Sequence, residues 1–310
     1  MSKYHFTTVA SGDYLYKFLV MYKTLKYHCT DFKLFAMCVE DDIYNILNDM
    51  KLPDIMPLKV DDVNNDELKK ARRERSYLEY CWMLKSVTLH YVMNLYHDTD
   101  YFAHLDSDLC FFAGPESIFN EAPNASLYLI DHNNSQRFLH TYETSGRFNT
   151  GFVGCKNDHI ARKAIDWWMK KCIESCSSTP DSSKKIFGDQ RYVEEWPRIF
   201  GNVHIVKSKG INVSVWNIEG YKVSIRNNEV FVNEDRLIFY HFSGFSIINE
   251  TEFNLSWFYK IADEPLNLIY IPYMKLLKEV IIEIKQRYPY FNKGFTDIRL
   301  VQQVHLYKLN

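Results

Sequence analysis

Between residues 4 and 105, short apolar runs alternate with longer segments whose apolar residues recur at helical spacing. That alternation leaves few architectures open to the chain. "YHFTTVA" (4–10), "KLFAMCVE" (33–40) and "DIMPLKV" (54–60) read as strands, and "DYFAHLDSD" holds another. Between them, "YLYKFLVMYKTLKYH" (14–28), "IYNILNDM" behind an acidic "DD", and "YLEYCWMLKSVTLHYVMNLY" (77–96) read as helices. A βαβαβαβ order predicts an α/β fold with a parallel sheet covered by helices on both faces. Ligands of such sheets bind outside the carboxyl ends of the strands.

Further along, "SLYLIDH" (126–132) and "FNTGFVGCK" (148–156) read as strands, followed by a helix in "DHIARKAIDWWMKKCIE". The polar stretch 175–188 reads as a mobile surface loop, and "RNNE" as a hairpin turn between short strands. "PLNLIYIPYMKLLKEVIIEIKQRYPYF" reads as a helix, and residues 266–310 hold seven Lys/Arg against three Asp/Glu. The expected division is a main domain over 1–250 and a C-terminal helical extension over 251–310, packed on that domain or lying at a membrane surface.

With 46% hydrophobic and 25% charged residues, a chain of 310 residues buries a sizeable core. A formal net charge of −2 excludes nucleic acid as an expected partner, because phosphate neutralisation needs a basic excess. Seven scattered cysteines, without any C-x-x-C pair, predict buried thiols in a reducing cytoplasm. The opening "MSKYHFTTVA" has no signal-peptide core, and no run is long enough to span a bilayer. The expectation is a cytoplasmic protein, at the inner face of the membrane if the basic aromatic tail rests on anionic lipid.

The sharpest local feature is "YFAHLDSDLCFF" (101–112), in which two carboxylates interrupt an apolar run. Residues i and i+2 of a strand face the same side, so Asp106 and Asp108 can aim at one point. Two carboxylates so close repel, and one would be forced to protonate unless a cation lies between them. Mg²⁺ or Mn²⁺ suits such oxygen ligands. As alternatives, the pair could serve as turn or cap residues. An apolar strand followed by Asp-x-Asp also fits an Mg²⁺-dependent aspartate-nucleophile phosphatase.

"HLDSDLCFF" followed by "GPESIF" resembles the DxD segment of nucleotide-sugar glycosyltransferases of the GT-A fold. "TTVASGDYLYKFLVMYKTLKYH" resembles their opening nucleotide-binding strand and helix. "RFNTGFVGCKN", "GDQRYVEEWP" and "FYHFSG" resemble, in the family's order, its "FNsGv", Asp-Gln and "HF.G" segments. The pattern is closest to the glycogenin and lipopolysaccharide galactosyltransferase group, which is retaining and manganese-dependent.

The resemblance implies a Rossmann-like, mostly parallel sheet and three metal ligands, Asp106, Asp108 and His241. It implies nucleotide contacts from Thr8, Ala10, Asp13, Tyr14, Lys85, Asp106 and Ser107. On the sugar side it implies binding by Asp131, Asn149, Thr150 and Gly151, with Asp189, Gln190 and Asp131 as catalytic candidates. Bland readings stand beside these: Asp13 and Asp189 as helix N-caps, Lys85 as a snorkelling surface lysine, and His241 as a core histidine. Two departures are visible. The family's Lys-Pro-Trp after "HF.G" is replaced by "FSIINE", and Arg191 follows the Asp-Gln pair where the family has an acid. The implied function is metal-dependent hexosyl transfer from a UDP-sugar to a glycan or lipid-linked acceptor in surface polysaccharide synthesis, retaining ahead of inverting. The other class left open is a catalytically silent nucleotide-sugar or glycan binding module.

Overall fold

A computed structural model describes residues 2–63, 66–181, 183 and 185–309. The predicted alternation is observed: β1 (Tyr4–Ala10), α1 (Leu15–His28), β2 (Phe32–Cys38), α2 (Asp41–Met50) and β3 (Ile55–Lys59) follow in order. Then come α3 (Asp66–Glu74), α4 (Tyr77–Leu95) and β4 (Tyr101–Leu105). The start of α4 is set by a capping box, in which Ser76 and Glu79 exchange side-chain and backbone hydrogen bonds.

After β4 the chain makes a short strand, β5 (Leu109–Phe111), and then β6 (Leu127–Asp131), β7 (Phe148–Lys156) and β8 (Val203–Ile205). Seven of these strands form one sheet in the order β3-β2-β1-β4-β7-β6-β8. Every neighbouring pair is parallel except those made by β7, which runs against both β4 and β6. This is the expected α/β sheet, mostly parallel, with helices on both faces. Alternate residues of its strands feed two cores. Phe6, Leu34 and Ala103 pack with α1 and the helix Ile271–Arg287, whereas Phe35, Phe102 and Val153 pack with α4 and the helix His159–Glu174.

β9 (Val213–Ser214) is followed by the meander β10 (Val223–Arg226), β11 (Glu229–Val232) and β12 (Asp235–Arg236), and then by β13 (Phe239–His241). Asn227 and Asn228, both at positive φ, form the two-residue turn foreseen in "RNNE". β13 lies between β5 and β9 and puts His241 opposite Leu109. A segment 130 residues downstream is thereby brought beside the Asp106–Asp108 turn. β14 (Ser246–Ile247), β15 (Glu252–Asn254) and β16 (Leu306–Lys308) make a last small sheet.

Of the 175–188 stretch, residues 182 and 184 lie outside the described residues. In the rest, Asp181 pairs with Ile186 and the Gly188 amide donates to the Ser177 carbonyl. The segment expected to be one helix from 265 passes instead through a π-helical turn, Leu266–Tyr270, before the α-helix Ile271–Arg287. Six of the seven cysteines are buried and all are free thiols. Among the described residues, no helix is long and apolar enough to cross a membrane.

Candidate active site

β4 stays buried to Leu105, and the chain then turns sharply through Asp106, Ser107 and Asp108. This turn is held from three sides. The Asp106 amide donates to the Gly151 carbonyl on β7 at 2.8 Å, and the Ser107 hydroxyl donates to the Val9 carbonyl on β1 at 2.6 Å. On the third side, the Phe242 amide donates to the Asp108 carbonyl at 2.9 Å. With the main chain fixed, both carboxylates project at the carboxyl end of the sheet.

Both are met by nitrogen-bearing side chains. Lys85 Nζ lies 2.8 and 2.9 Å from the two oxygens of Asp106, and His104 Nε2 is 3.1 Å from one of them. His241 Nε2 is 3.1 Å from Asp108 and 3.8 Å from Asp106. Burial opposes ionisation of Asp106, yet Lys85 and then His104 outweigh it and hold the carboxyl below the ordinary carboxylate range. Asp108 behaves alike: burial is outweighed by His241 and, behind it, Lys17. Both side chains are therefore carboxylates at neutral pH.

Asp106, Asp108 and His241 each offer a ligand atom, and these atoms lie within 4.8 Å of one another. Two oxygens and an imidazole nitrogen suit a divalent ion such as Mn²⁺. The ring's position depends on Gly151, where an added Cβ would come within 2.6 Å of His241 Cε1 and Nδ1. Nδ1 points to Asn212 Oδ1 at 3.1 Å, so in the neutral ring Nε2 keeps its lone pair toward the carboxylates. The residues present fit a divalent cation.

The cluster forms the floor of a cleft of about 690 Å³. α4 supplies one wall from a single helical face: Tyr77, Leu78, Cys81, Trp82 and Lys85. Asp13 and Tyr14, after β1, line the adjoining side. Thr8 and Ala10 are buried beneath it. The Thr8 hydroxyl meets Ser107 Oγ at 3.1 Å, and the Ala10 carbonyl accepts from the Val39 amide at 2.9 Å. Asp13 caps nothing, since the turn Gly12–Tyr14 begins at Ser11 without a side-chain cap. Lys85 is not a snorkelling surface residue, being buried at the floor.

Asn149, Asp189 and Gln190 line the opposite wall, with Thr150 and Gly151 behind it. Asp189 stands at an N-cap position but its side chain caps nothing. One of its oxygens is buried without a partner, and the other is 3.9 Å from Lys85 Nζ. Burial pushes its pKa up against the pull of Lys85. Asp131 differs from the other two catalytic candidates, Asp189 and Gln190, because it is not among the lining residues. Its carboxylate accepts from Arg147 Nε at 2.7 Å, the Asn133 amide at 2.9 Å and the Tyr142 hydroxyl at 3.2 Å. The structure therefore does not bring Asp131 to the metal cluster.

The neighbouring His132 lines the cleft instead. Its Nδ1 donates to the Arg147 carbonyl at 3.0 Å, and burial lowers its pKa to about 4, so it is neutral with a lone pair on Nε2. Asn149 Oδ1 accepts from the Gly151 amide at 2.9 Å, which turns the Asn149 NH₂ toward His132 Nε2, 3.4 Å away. Trp216 stands edge-on between the rings of His132 and His241, at 5.4 and 5.2 Å. Sequence reasoning missed His132, His104, Asn212 and Trp216. The period of two along β6 was the available signal for His132, since consecutive strand residues point to opposite faces.

No protein-family model matches the chain. It is 45% identical to the uncharacterized protein YfnD of Bacillus subtilis (strain 168) over 311 aligned residues, covering 100% of each chain. It is 28% identical to the uncharacterized protein YfnF of the same organism, over 94% of this chain and 96% of that one. Among solved structures, the galactosyltransferase LgtC in complex with donor and acceptor sugar analogs matches with a TM-score of 0.57 at 12% identity. That match covers 93% of this chain and 100% of LgtC. The apo glycosyltransferase GlyE of Streptococcus pneumoniae TIGR4 matches with a TM-score of 0.52 at 12% identity, over 92% of this chain and 64% of GlyE. At such identities the likeness concerns the fold, and that fold is the GT-A arrangement.

Proposed function

The chain belongs to the family of Bacillus subtilis YfnD, and from its GT-A fold and carboxylate–imidazole cluster we propose that it is a metal-dependent glycosyltransferase. The donor is a nucleotide diphosphate sugar, a UDP-hexose in our reading, and the acceptor is a hydroxyl of a glycan or lipid-linked glycan. The observation that carries the proposal is the convergence of Asp106, Asp108 and His241 at the floor of a cleft of sugar-nucleotide size. Four aspartates line that cleft (Asp13, Asp106, Asp108 and Asp189), while Lys85 is the one lysine or arginine among the described lining residues. A diphosphate would meet net repulsion there without a divalent ion.

A bound Mn²⁺ or Mg²⁺ would supply Lewis-acid stabilisation of the departing nucleotide diphosphate. The protein's own residues do the rest. Tyr14 and Asp13 line the nucleotide side, and Tyr77 and Trp82 add aromatic surface to the same cleft. The Asn149 NH₂ donates one hydrogen to His132 Nε2 and keeps its second for a sugar hydroxyl. Asp189, buried with an unpaired oxygen, faces the reacting sugar. Because it lies beside Lys85 and Asp106, it is on the leaving-group side, where a carboxylate stabilises positive charge on the sugar and does not serve as an in-line base. On this ground we favour retention of anomeric configuration, with the acceptor proton passing to the leaving phosphate oxygen.

A second basin of about 660 Å³ adjoins the cleft where Phe138 and Phe258 meet edge-on at 5.4 Å, and Tyr259 and Arg137 line it. We assign the distal units of the acceptor to it. We divide the chain likewise: residues 1–250 hold the metal cluster, and 251–310 complete the acceptor side with Phe258 and Tyr259 and face membrane-borne acceptors through the basic tail.

The test is a screen of nucleotide sugars with Mn²⁺ for release of free nucleotide and for thermal stabilisation, followed by NMR of the product's anomeric proton. One sugar nucleotide should shift the melting temperature and turn over only with metal. Equal turnover in the presence of chelator would refute the metal-dependent reading, and an inverted product would refute retention.

A further inference from the structure

We propose that Asn212 is a positioning residue that fixes His241 in the tautomer able to ligate a divalent ion; this rests on the metal-dependent reading above. Asn212 has no solvent exposure, and its Oδ1 lies 3.1 Å from His241 Nδ1. A neutral imidazole carries one ring proton. Placed on Nδ1 by this acceptor, the proton leaves Nε2 bare, and Nε2 is the ring atom that faces Asp108 at 3.1 Å and Asp106 at 3.8 Å. Without an acceptor behind the ring, the proton would move to Nε2 and be donated to Asp108, and the ring would be lost as a ligand.

The surroundings leave Asn212 little freedom. Its backbone is left-handed (φ 58°), a region that asparagine, aspartate and glycine tolerate. Its carbonyl accepts from Asn217 Nδ2 at 3.2 Å, and Asn217 Oδ1 accepts from the Ser214 amide at 2.9 Å. The same Asn217 Nδ2 reaches the His132 carbonyl at 2.8 Å, while the Ser214 hydroxyl donates to the His241 carbonyl at 2.6 Å. His241 is thus tied at its main chain by Ser214 and at its ring by Asn212. Gly151 is directly against the ring, and Trp216 stands edge-on at 5.2 Å.

A second observation points the same way. Asn212 Nδ2 is buried without a hydrogen-bond partner among the described residues, an arrangement that lowers stability relative to an apolar side chain. Among the described residues, the side-chain hydrogen bond of Asn212 is therefore the one its Oδ1 makes to His241 Nδ1.

The test uses the full chain and Mn²⁺ alone, titrated calorimetrically and by the loss of free-ion paramagnetic resonance signal. Four proteins are compared: wild type, Asp108→Ala, Asn212→Gly and Asn212→Asp. Glycine keeps the left-handed backbone without strain but removes the acceptor, whereas aspartate keeps both. Asp108→Ala should bind far more weakly than wild type, and Asn212→Gly about 10- to 100-fold more weakly with an intact melting transition. Asn212→Asp should return to within about threefold of wild type, or tighter, because a carboxylate accepts the same proton. Wild-type affinity in Asn212→Gly would overturn the proposal. Equal weakness in the Gly and Asp variants would also overturn it, by assigning the effect to packing. If wild type and Asp108→Ala bind Mn²⁺ alike, the metal reading itself is wrong and the proposal falls with it.

Discussion

Two strands of the central sheet end in aspartates, and the two ends differ in what surrounds the acid. At the end of β4, Asp106 and Asp108 sit in apolar surroundings and rely on Lys85, His104 and His241, all of them buried. At the end of β6, Asp131 is satisfied by an amide, a tyrosine hydroxyl and Arg147, whose side chain is 53% exposed. The first arrangement concentrates charge where solvent cannot screen it, and the second disperses charge at the rim. An acid at a strand's carboxyl end therefore marks a site only when its neighbours leave some of its bonding capacity for a ligand.

Substitutions at the two ends should separate them most strongly in turnover. Asp108→Ala is expected to lower Mn²⁺-dependent nucleotide release by on the order of 10²–10³-fold, whereas Asp131→Asn should stay within about threefold of wild type. A comparable loss in both would erase the distinction. Asp189 sharpens it further, being buried with one oxygen unpaired. Asp189→Asn should lower kcat by roughly 10- to 100-fold and raise unfolding free energy by about 1 kcal/mol, because it removes a buried charge. Asp131→Asn should instead lower unfolding free energy by about 0.5–1 kcal/mol through its weakened, half-exposed ion pair. Denaturant titration of both variants reads the opposite signs directly.

Smaller effects are expected from the frame around the metal cluster. Gly151→Ala places a Cβ 2.6 Å from the His241 ring and 2.8 Å from Asn149 Oδ1. It should cost about 1–3 kcal/mol of stability and weaken Mn²⁺ binding as well. If only stability changes, the ring has room the structure does not show. The mildest test concerns β1, away from the cleft. His5 is buried among Phe35, Tyr96 and Phe102, and burial lowers its pKa from 6.5 to about 4. Its neutral form therefore contributes stability that is whole above pH 6.5. That contribution falls as the pH drops toward 4, because the unfolded chain takes up a proton that the folded chain refuses. His5→Leu should flatten this acid limb by on the order of 2 kcal/mol, as read from melts between pH 7 and pH 4.

Much of the scaffold was legible because it repeats. The alternation through residue 105 predicted strands and helices whose ends fall within a few residues of those observed, and the apolar mount of Asp106 and Asp108 followed from it. What escaped depends on tertiary pairing. The resemblance put Asp131 forward, but its carboxylate is engaged by Arg147 and does not line the cleft, whereas the neighbouring His132 does. Asn212 and Trp216 lie in short, irregular connections between β8 and β10, where neither a period of two nor of 3.6 marks a face. The partner of Lys85 could not be read from α4 alone, since helical spacing shows which side chains share a face but not what they meet.

The bridge from Lys85 to Asp106, with Asp189 3.9 Å away, bears on the order of assembly. In a zinc finger the unliganded donors have no internal counter-charge, and ion uptake and folding are a single event. Here the ammonium offsets part of the carboxylates' charge beforehand, so on the metal-dependent reading the chain can complete its sheet before any ion arrives. On that reading, maturation of the site would be the addition of an ion to a finished scaffold, and an ion lost by dilution would leave behind a protein ready to be reloaded.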